Sequence, residues 1–133
     1  MENPPVVLLV TPDMMCASQL QGGVQAAGAV LRTVWSAAAA IPRIQAGEFQ
    51  VVLLDLEAFS PPEQLATWFA LLPSKNRPRI LAFGPHVDQG RLQNALHTGC
   101  DAVYTRGQMH RETQSLVHAA LAVCQQVQPL EVT

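Results

Sequence analysis

The sequence is poor in aromatic side chains (5%) and in charge (14%), against an apolar share of 49%. A surface this lean in charge points to a face covered by a partner or a second copy of the chain. The eight Lys and Arg residues are scattered and the net charge is −2. No basic stripe therefore marks a nucleic-acid or membrane surface. No apolar stretch approaches the length of a membrane span, and Met1-Glu2-Asn3-Pro4-Pro5 lacks the charged-then-apolar order of a secretion signal, so a cytoplasmic location is expected. Cysteine is scarce: Cys16, Cys100 and Cys124 are odd in number, far apart and in no C-x-x-C or zinc spacing. They read as small apolar side chains, not as metal ligands. No glycine-rich phosphate loop follows the first apolar run, where Thr11-Pro12-Asp13-Met14 stands, and no Gly-x-Ser-x-Gly elbow occurs, which weighs against nucleotide-loop and hydrolase chemistry.

What is present is a set of short, continuous apolar runs. Val51 to Leu54 is unbroken and closes on Asp55, the pattern of a strand buried on both faces of a parallel sheet. Val6 to Val10, Ala29 to Val34, Arg79 to Phe83 and Asp101 to Thr105 read as four further strands, with Phe49 to Leu56 as the third of the five in chain order. The first helix is capped by Asp13 and buries Cys16, Leu20 and Val24. Gly22-Gly23 inside it costs roughly 1 kcal/mol per glycine against alanine, so the helix is either weak there or closely approached by another backbone. The second helix is expected to begin at Pro42. Ser60-Pro61-Pro62-Glu63 reads as the opening of the third, with Leu65, Phe69 and Leu72 on its apolar face and Trp68 adjacent. Asp88 caps the fourth, which buries Leu92, Ala95 and Leu96 and stops at Gly99. The fifth runs from about His110 to Gln126 with Leu116, Ala120, Val123, Cys124 and Val127 inward, leaving a loose tail.

Five strands alternating with five helices predict one α/β domain over 1–133, with its core at about 5–127. The architecture is a three-layer flavodoxin-like fold with a five-stranded parallel sheet of order 2-1-3-4-5. Ligands of such sheets bind beyond the carboxyl ends of the strands, which places Asp55 at the expected site.

From Val6 to about Gln126 the chain resembles the receiver domain of two-component response regulators. Val-Val-Leu-Leu-Asp55 resembles the strand ending in the phosphoacceptor aspartate. Val7-Leu8-Leu9-Val10-Thr11-Pro12-Asp13 stands where the family has a strand and an acidic pair. Gly99-Cys100-Asp101-Ala102-Val103-Tyr104-Thr105-Arg106-Gly107 resembles its Gly-Ala-Asp-Asp-Tyr-Leu-x-Lys-Pro. The departures are specific: the acidic pair falls on Thr11 and Pro12, the switch hydroxyl on Phe83, and the lysine on Arg106. The resemblance implies Asp55 as phosphoacceptor candidate, Arg106 and Thr105 as phosphate or ion-pair candidates, and Asp13 with Glu57 as carboxylates for Mg²⁺. An Asp55–Arg106 ion pair holding strands 3 and 5 is the structural alternative.

His86 and Asp88 are candidates for a loop site, set against Asp88 as a helix cap and His86 as donor to a loop carbonyl. His97, His110 and His118 read as solvated. Met14 and Met15 read as core or interface packing, and Trp35 and Trp68 as partly buried packing. The resemblance implies pairing, including a homodimer, through helix 4, strand 5 and helix 5, with Gln93, His97, Tyr104, Gln108 and Arg111 exposed. The function expected is a stand-alone, non-enzymatic, degenerate receiver acting through protein contacts. A Mg²⁺-dependent aspartyl-phosphate acceptor is the alternative. A small-ligand domain built on Asp13, Asp55, His86 and Arg106 is the third reading.

Overall fold

The computed structural model describes residues 3–132, with side chains as far as Val123. Its strands are β1 (Val6–Val10), β2 (Val30–Val34), β3 (Val51–Asp55), β4 (Arg79–Gly84) and β5 (Ala102–Thr105). All four pairings are parallel, in the order β2-β1-β3-β4-β5. Parallel strands need crossovers, and helices supply them: α1 (Met14–Ala26), α2 (Ala37–Gln45), α3 (Gln64–Ala70) and α4 (Gln89–Thr98), followed after β5 by α5 (Arg106–Arg111) and α6 (Thr113–Val132). Among the described residues no helix is long and apolar enough to cross a membrane.

The sheet separates two apolar layers. Leu8, Val10, Val52, Leu54, Ile80 and Ala82 face α2, α3 and α4, where Trp68 and Phe59 pack edge to face at 5.6 Å. Val7, Leu9, Val51, Leu53, Leu81 and Phe83 face α1, α5 and α6. This is the period of two expected of strands, run through strands apolar on both sides. Asp55 continues the Val51–Leu53 row, so its side chain enters the second layer. The edge strand β2 places Arg32 in solvent, in keeping with its mixed sequence.

Several local expectations change. α2 begins at Ala37, because the Ser36 hydroxyl accepts the Ala39 N–H as N-cap. Pro42 lies inside the helix on its exposed side, so the lost donor faces water. Pro61 and Pro62 form a turn closed by Gln64 and Leu65 N–H groups bonding to their carbonyls, and α3 starts at Gln64 instead of capping on Ser60. Leu96 is 54% exposed, not buried. The expected fifth helix is two helices. Thr105 caps α5, and the Thr113 hydroxyl donates to the Met109 carbonyl at 2.6 Å, satisfying the end of α5 before α6 departs. The buried face is consequently Met109, Val117, Ala120 and Leu121, while Leu116 and Val123 are only half-buried. The side chains of Cys124 and Val127 lie outside the described residues. A Cβ on Gly23 would come within 2.5 Å of the Thr113 side chain and 3.2 Å of the Gln114 backbone nitrogen, which accounts for a glycine where helix propensity disfavours one. Met14 and Met15 are exposed and Trp35 is half-exposed, whereas Trp68 is buried and donates to the Ala37 carbonyl.

Candidate functional site

The register of the central strands assembles the site. Val10 pairs with Leu54, so Thr11 and Asp55 follow side by side; Asp55 pairs with Phe83, and Gly84 with Thr105, just before Arg106. Four residues from four strand ends thus meet on the α1/α5/α6 side of the sheet.

Asp55 is fully buried. A carboxylate in that position needs partners for both oxygens. Oδ2 accepts the Thr11 hydroxyl at 2.7 Å, and Oδ1 accepts the Arg106 guanidinium at 2.8 Å and the Glu57 N–H at 3.0 Å. Both candidates, Asp55 and Arg106, are therefore brought together, as the ion-pair alternative foresaw. Burial pulls the Arg106 pKa down, but the hydrogen bond and charge of Asp55, with Cys16 and Glu57 adding, outweigh it and raise it above the ordinary arginine value.

Phe83 completes the arrangement. Its ring is fully buried, the Arg106 guanidinium lies over it at 5.3 Å from the centroid, and the His110 ring meets it edge to face at 6.5 Å. Cations favour the ring face, so Phe83 holds Arg106 from below while Asp55 holds it from the side. Sequence reasoning placed His110 in solvent. It is instead half-buried, with Nε2 3.9 Å from the Cys16 sulfur. Burial first, then the Arg106 charge, lowers its pKa against the opposing pull of Asp55 and Asp13. Cys16 and Cys100 are both buried; burial and then Asp55 raise the Cys16 pKa, and burial and then Asp101 push Cys100 up to about 12. Neither is poised as a thiolate.

The remaining candidates do other work. Asp13 accepts the Met15 N–H as N-cap of α1, and its own N–H donates to Thr11 Oγ. Glu57 and Asp88 sit 3.5 and 3.6 Å from Arg91. Asp88 also caps α4, as expected. The Thr105 hydroxyl caps α5 by accepting the Gln108 N–H. The His86 ring is exposed, and it is the His86 carbonyl that accepts, from the Gln89 side chain. Gln93, His97 and Arg111 are exposed, and Tyr104 and Gln108 half-buried.

Among the described residues no group of three or more His, Cys, Asp or Glu side chains is placed to hold a metal ion. Mg²⁺ binding draws on carboxylates with free oxygen lone pairs. Here Asp55 is bonded to a guanidinium and a hydroxyl, Asp13 is a helix cap, and Glu57 leans to Arg91. The three acids that the receiver resemblance implies for Mg²⁺ are each turned to a protein partner and do not converge as a three-ligand group among the described residues. Thr11 is the member that sequence reasoning missed. Its signal was available: a hydroxyl one step beyond a buried strand that neighbours the strand ending in Asp55.

Two surface depressions flank these groups. One, of about 450 Å³, lies between α3 and α4 along Pro62, Ala66, Arg91 and Asn94. The other, of about 420 Å³, opens beside Arg106 and His110. Asp13 and Asp55 do not line it, so the four-residue ligand site expected from sequence is not formed as such.

No family model matches the sequence, and no curated protein matches it. The fold is shared with receiver domains of solved structure. A signal receiver domain from Vibrio parahaemolyticus superposes with a TM-score of 0.79 at 18% identity over 97% of this chain and 98% of its own. The signal receiver domain of an HD-domain protein from Pseudomonas fluorescens gives 0.77 at 15% identity over 97% and 95%. A response regulator from Burkholderia pseudomallei, determined with a phosphorylated aspartic acid and a calcium ion, gives 0.67 at 19% identity over 96% and 72%. The architecture is therefore that of a response-regulator receiver.

Proposed function

We propose that this chain is a degenerate receiver-like signalling module of the cytoplasm, non-enzymatic, in which Asp55 is a structural latch and output runs through protein contacts. The observation that carries the reading is the engagement of both Asp55 carboxylate oxygens, Oδ2 by Thr11 and Oδ1 by Arg106 and the Glu57 N–H. A phosphoacceptor needs a free nucleophilic oxygen and a cation to shield the incoming charge. Phe83 fills the place of a switch hydroxyl, so a phosphoryl group would have nothing there to recruit.

The contact surface is α4, β5 and the α5–α6 segment that the sequence presents as one helix. Gln93, His97 and Arg111 are its exposed polar members, Tyr104 and Gln108 lie at its edge, and Leu96 adds an apolar centre at 54% exposure. A second copy of the chain is the partner this face would take. The test of the latch is titration with beryllofluoride and Mg²⁺, followed by amide shifts around Asp55. The expected result is no saturable change, and a saturating shift would restore the phosphoacceptor reading. Leu96→Glu tests the face: sedimentation should move from dimer towards monomer, and a wild-type chain that is monomeric at high concentration would remove the homodimer.

A further inference from the structure

Basic residues gather at the end of the sheet opposite Asp55. Lys75, Arg77 and Arg79 are three of the eight Lys and Arg residues and fall within five positions. They occupy the turn from α3 into β4, at the amino ends of the parallel strands. Elsewhere the chain pairs its arginines with acids: Arg43 with Glu48, Arg91 with Glu57 and Asp88, and Arg106 with Asp55. Among the described residues no carboxylate stands within ion-pair distance of Lys75, Arg77 or Arg79. Asp101 lies at the same end, beside Ile80, but its Oδ2 accepts the Ile80 N–H at 2.7 Å and is turned to the backbone. Lys75 and Arg77 are exposed and Arg79 is half-buried.

The turn holds its cations in place. Pro73 and Pro78 bracket it, each with its φ locked by the ring. Asn76 takes the left-handed conformation at φ 58°, which asparagine tolerates better than most residues. The Arg77 guanidinium lies over the Phe69 ring at 5.4 Å from the centroid. A guanidinium stacked in this way keeps the N–H donors of its edge for a further partner. Less freedom is then lost when a partner arrives.

We propose that this turn docks an acidic segment of a partner protein, with carboxylates meeting Lys75, Arg77 and Arg79. The number of cations selects the occupant. Nucleic-acid binding commonly draws on about six to ten phosphate contacts, and polybasic lipid binding on about four to eight Lys or Arg. Three cations in a chain of net charge −2 fall short of both, but they match a short run of Asp or Glu. The surface is separate from the Asp55 latch and from the face around Leu96, so its test can fail without touching either.

Amide shifts of the full chain, titrated at low salt with hexaglutamate and with hexaglutamine, test the proposal. Hexaglutamate should move residues 74–79 saturably with a Kd between about 1 and 10 mM, and 0.5 M salt should abolish the shifts. Hexaglutamine should move nothing. Lys75→Gln, at an exposed position, should weaken hexaglutamate about threefold without moving the melting temperature, and adding Arg77→Gln should weaken it about threefold again. Arg32→Gln, a cation removed from β2, should leave the affinity unchanged. No saturation by about 10 mM, equal shifts with hexaglutamine, or unchanged affinity in the Lys75→Gln, Arg77→Gln double variant overturns the proposal. Tighter binding of an oligouridylate or of phosphatidylserine vesicles would overturn it in favour of nucleic acid or lipid. Salt-sensitive self-association lost in Lys75→Gln would overturn it in favour of a second copy of the chain.

Discussion

The Asp55–Arg106 pair and the Glu57–Arg91–Asp88 group share one edge of the sheet, and Asp55 and Glu57 are two residues apart. They are built in opposite ways. Asp55 is 1% exposed at its side chain and touches its guanidinium at 2.8 Å. Glu57 and Asp88 are about half exposed, and their oxygens stand 3.5 and 3.6 Å from Arg91. The Arg91 Nε is buried and, among the described residues, has no hydrogen-bond partner. In the first cluster water has been removed from the acid and replaced by directed donors; in the second the two acids keep their water and meet the guanidinium only at longer range. The same charges near the same strand end therefore differ in what they contribute, and the difference lies in desolvation, not in charge count.

Removing Arg106 is the largest perturbation this contrast allows. Arg106→Met leaves a buried carboxylate short of its cation and should cost about 3 kcal/mol, read as a lower urea midpoint at unchanged slope. The figure is at the lower end of the range for buried pairs because the guanidinium itself reaches solvent. Asp55→Leu added to Arg106→Met should recover most of the loss, since an apolar pair needs no desolvated partner. A double variant no better than the single one would mean that the pair acts through something other than charge burial.

Thr11→Val comes next. It deletes a 2.7 Å bond to a buried charge while keeping the shape, and should cost about 2 kcal/mol. A loss below half of that would show that Arg106 and the Glu57 N–H satisfy Asp55 without it. This residue also marks the limit of what the sequence disclosed. The strand order and the Asp55–Arg106 meeting were legible because buried parallel strands announce themselves as continuous apolar runs and their ends share one edge. Thr11 was not, because it was weighed as a missing acid instead of as a donor beside Asp55. His110 was misplaced for a different reason. Treating residues 110–126 as one helix fixed the wrong face, whereas the Thr105 cap and the Thr113 back-bond divide the segment in two. Local capping chemistry carried that information, and apolar periodicity did not.

The half-buried His110 lies between the two extremes of exposure and tests them through pH. Burial and Arg106 depress its pKa in the folded chain below the 6.5 of a free histidine. As pH falls below about 6.5 the unfolded chain takes up the proton first, so the unfolded state carries more protons and stability drops with pH. The stability is complete above that range and is lost as pH descends towards the folded pKa. His110→Gln should flatten this part of the pH profile in thermal melts. An unchanged slope would assign the acid loss to other groups.

The smallest effect belongs to the open cluster. Arg91→Leu removes the guanidinium that Glu57 and Asp88 share, yet both acids reach water and Asp88 keeps its bond to the Arg91 N–H as cap of α4. The cost should stay under about 1 kcal/mol. It should shrink further between 0.05 and 1 M salt, as the screening length falls from over about 10 Å to about 3 Å. The Arg106→Met loss should barely respond to the same salt, because no ions enter the layer that covers Asp55. If the two variants showed the same salt dependence, the buried pair would be as solvated as the exposed one. The distinction drawn from their distances and exposures would then have no energetic content.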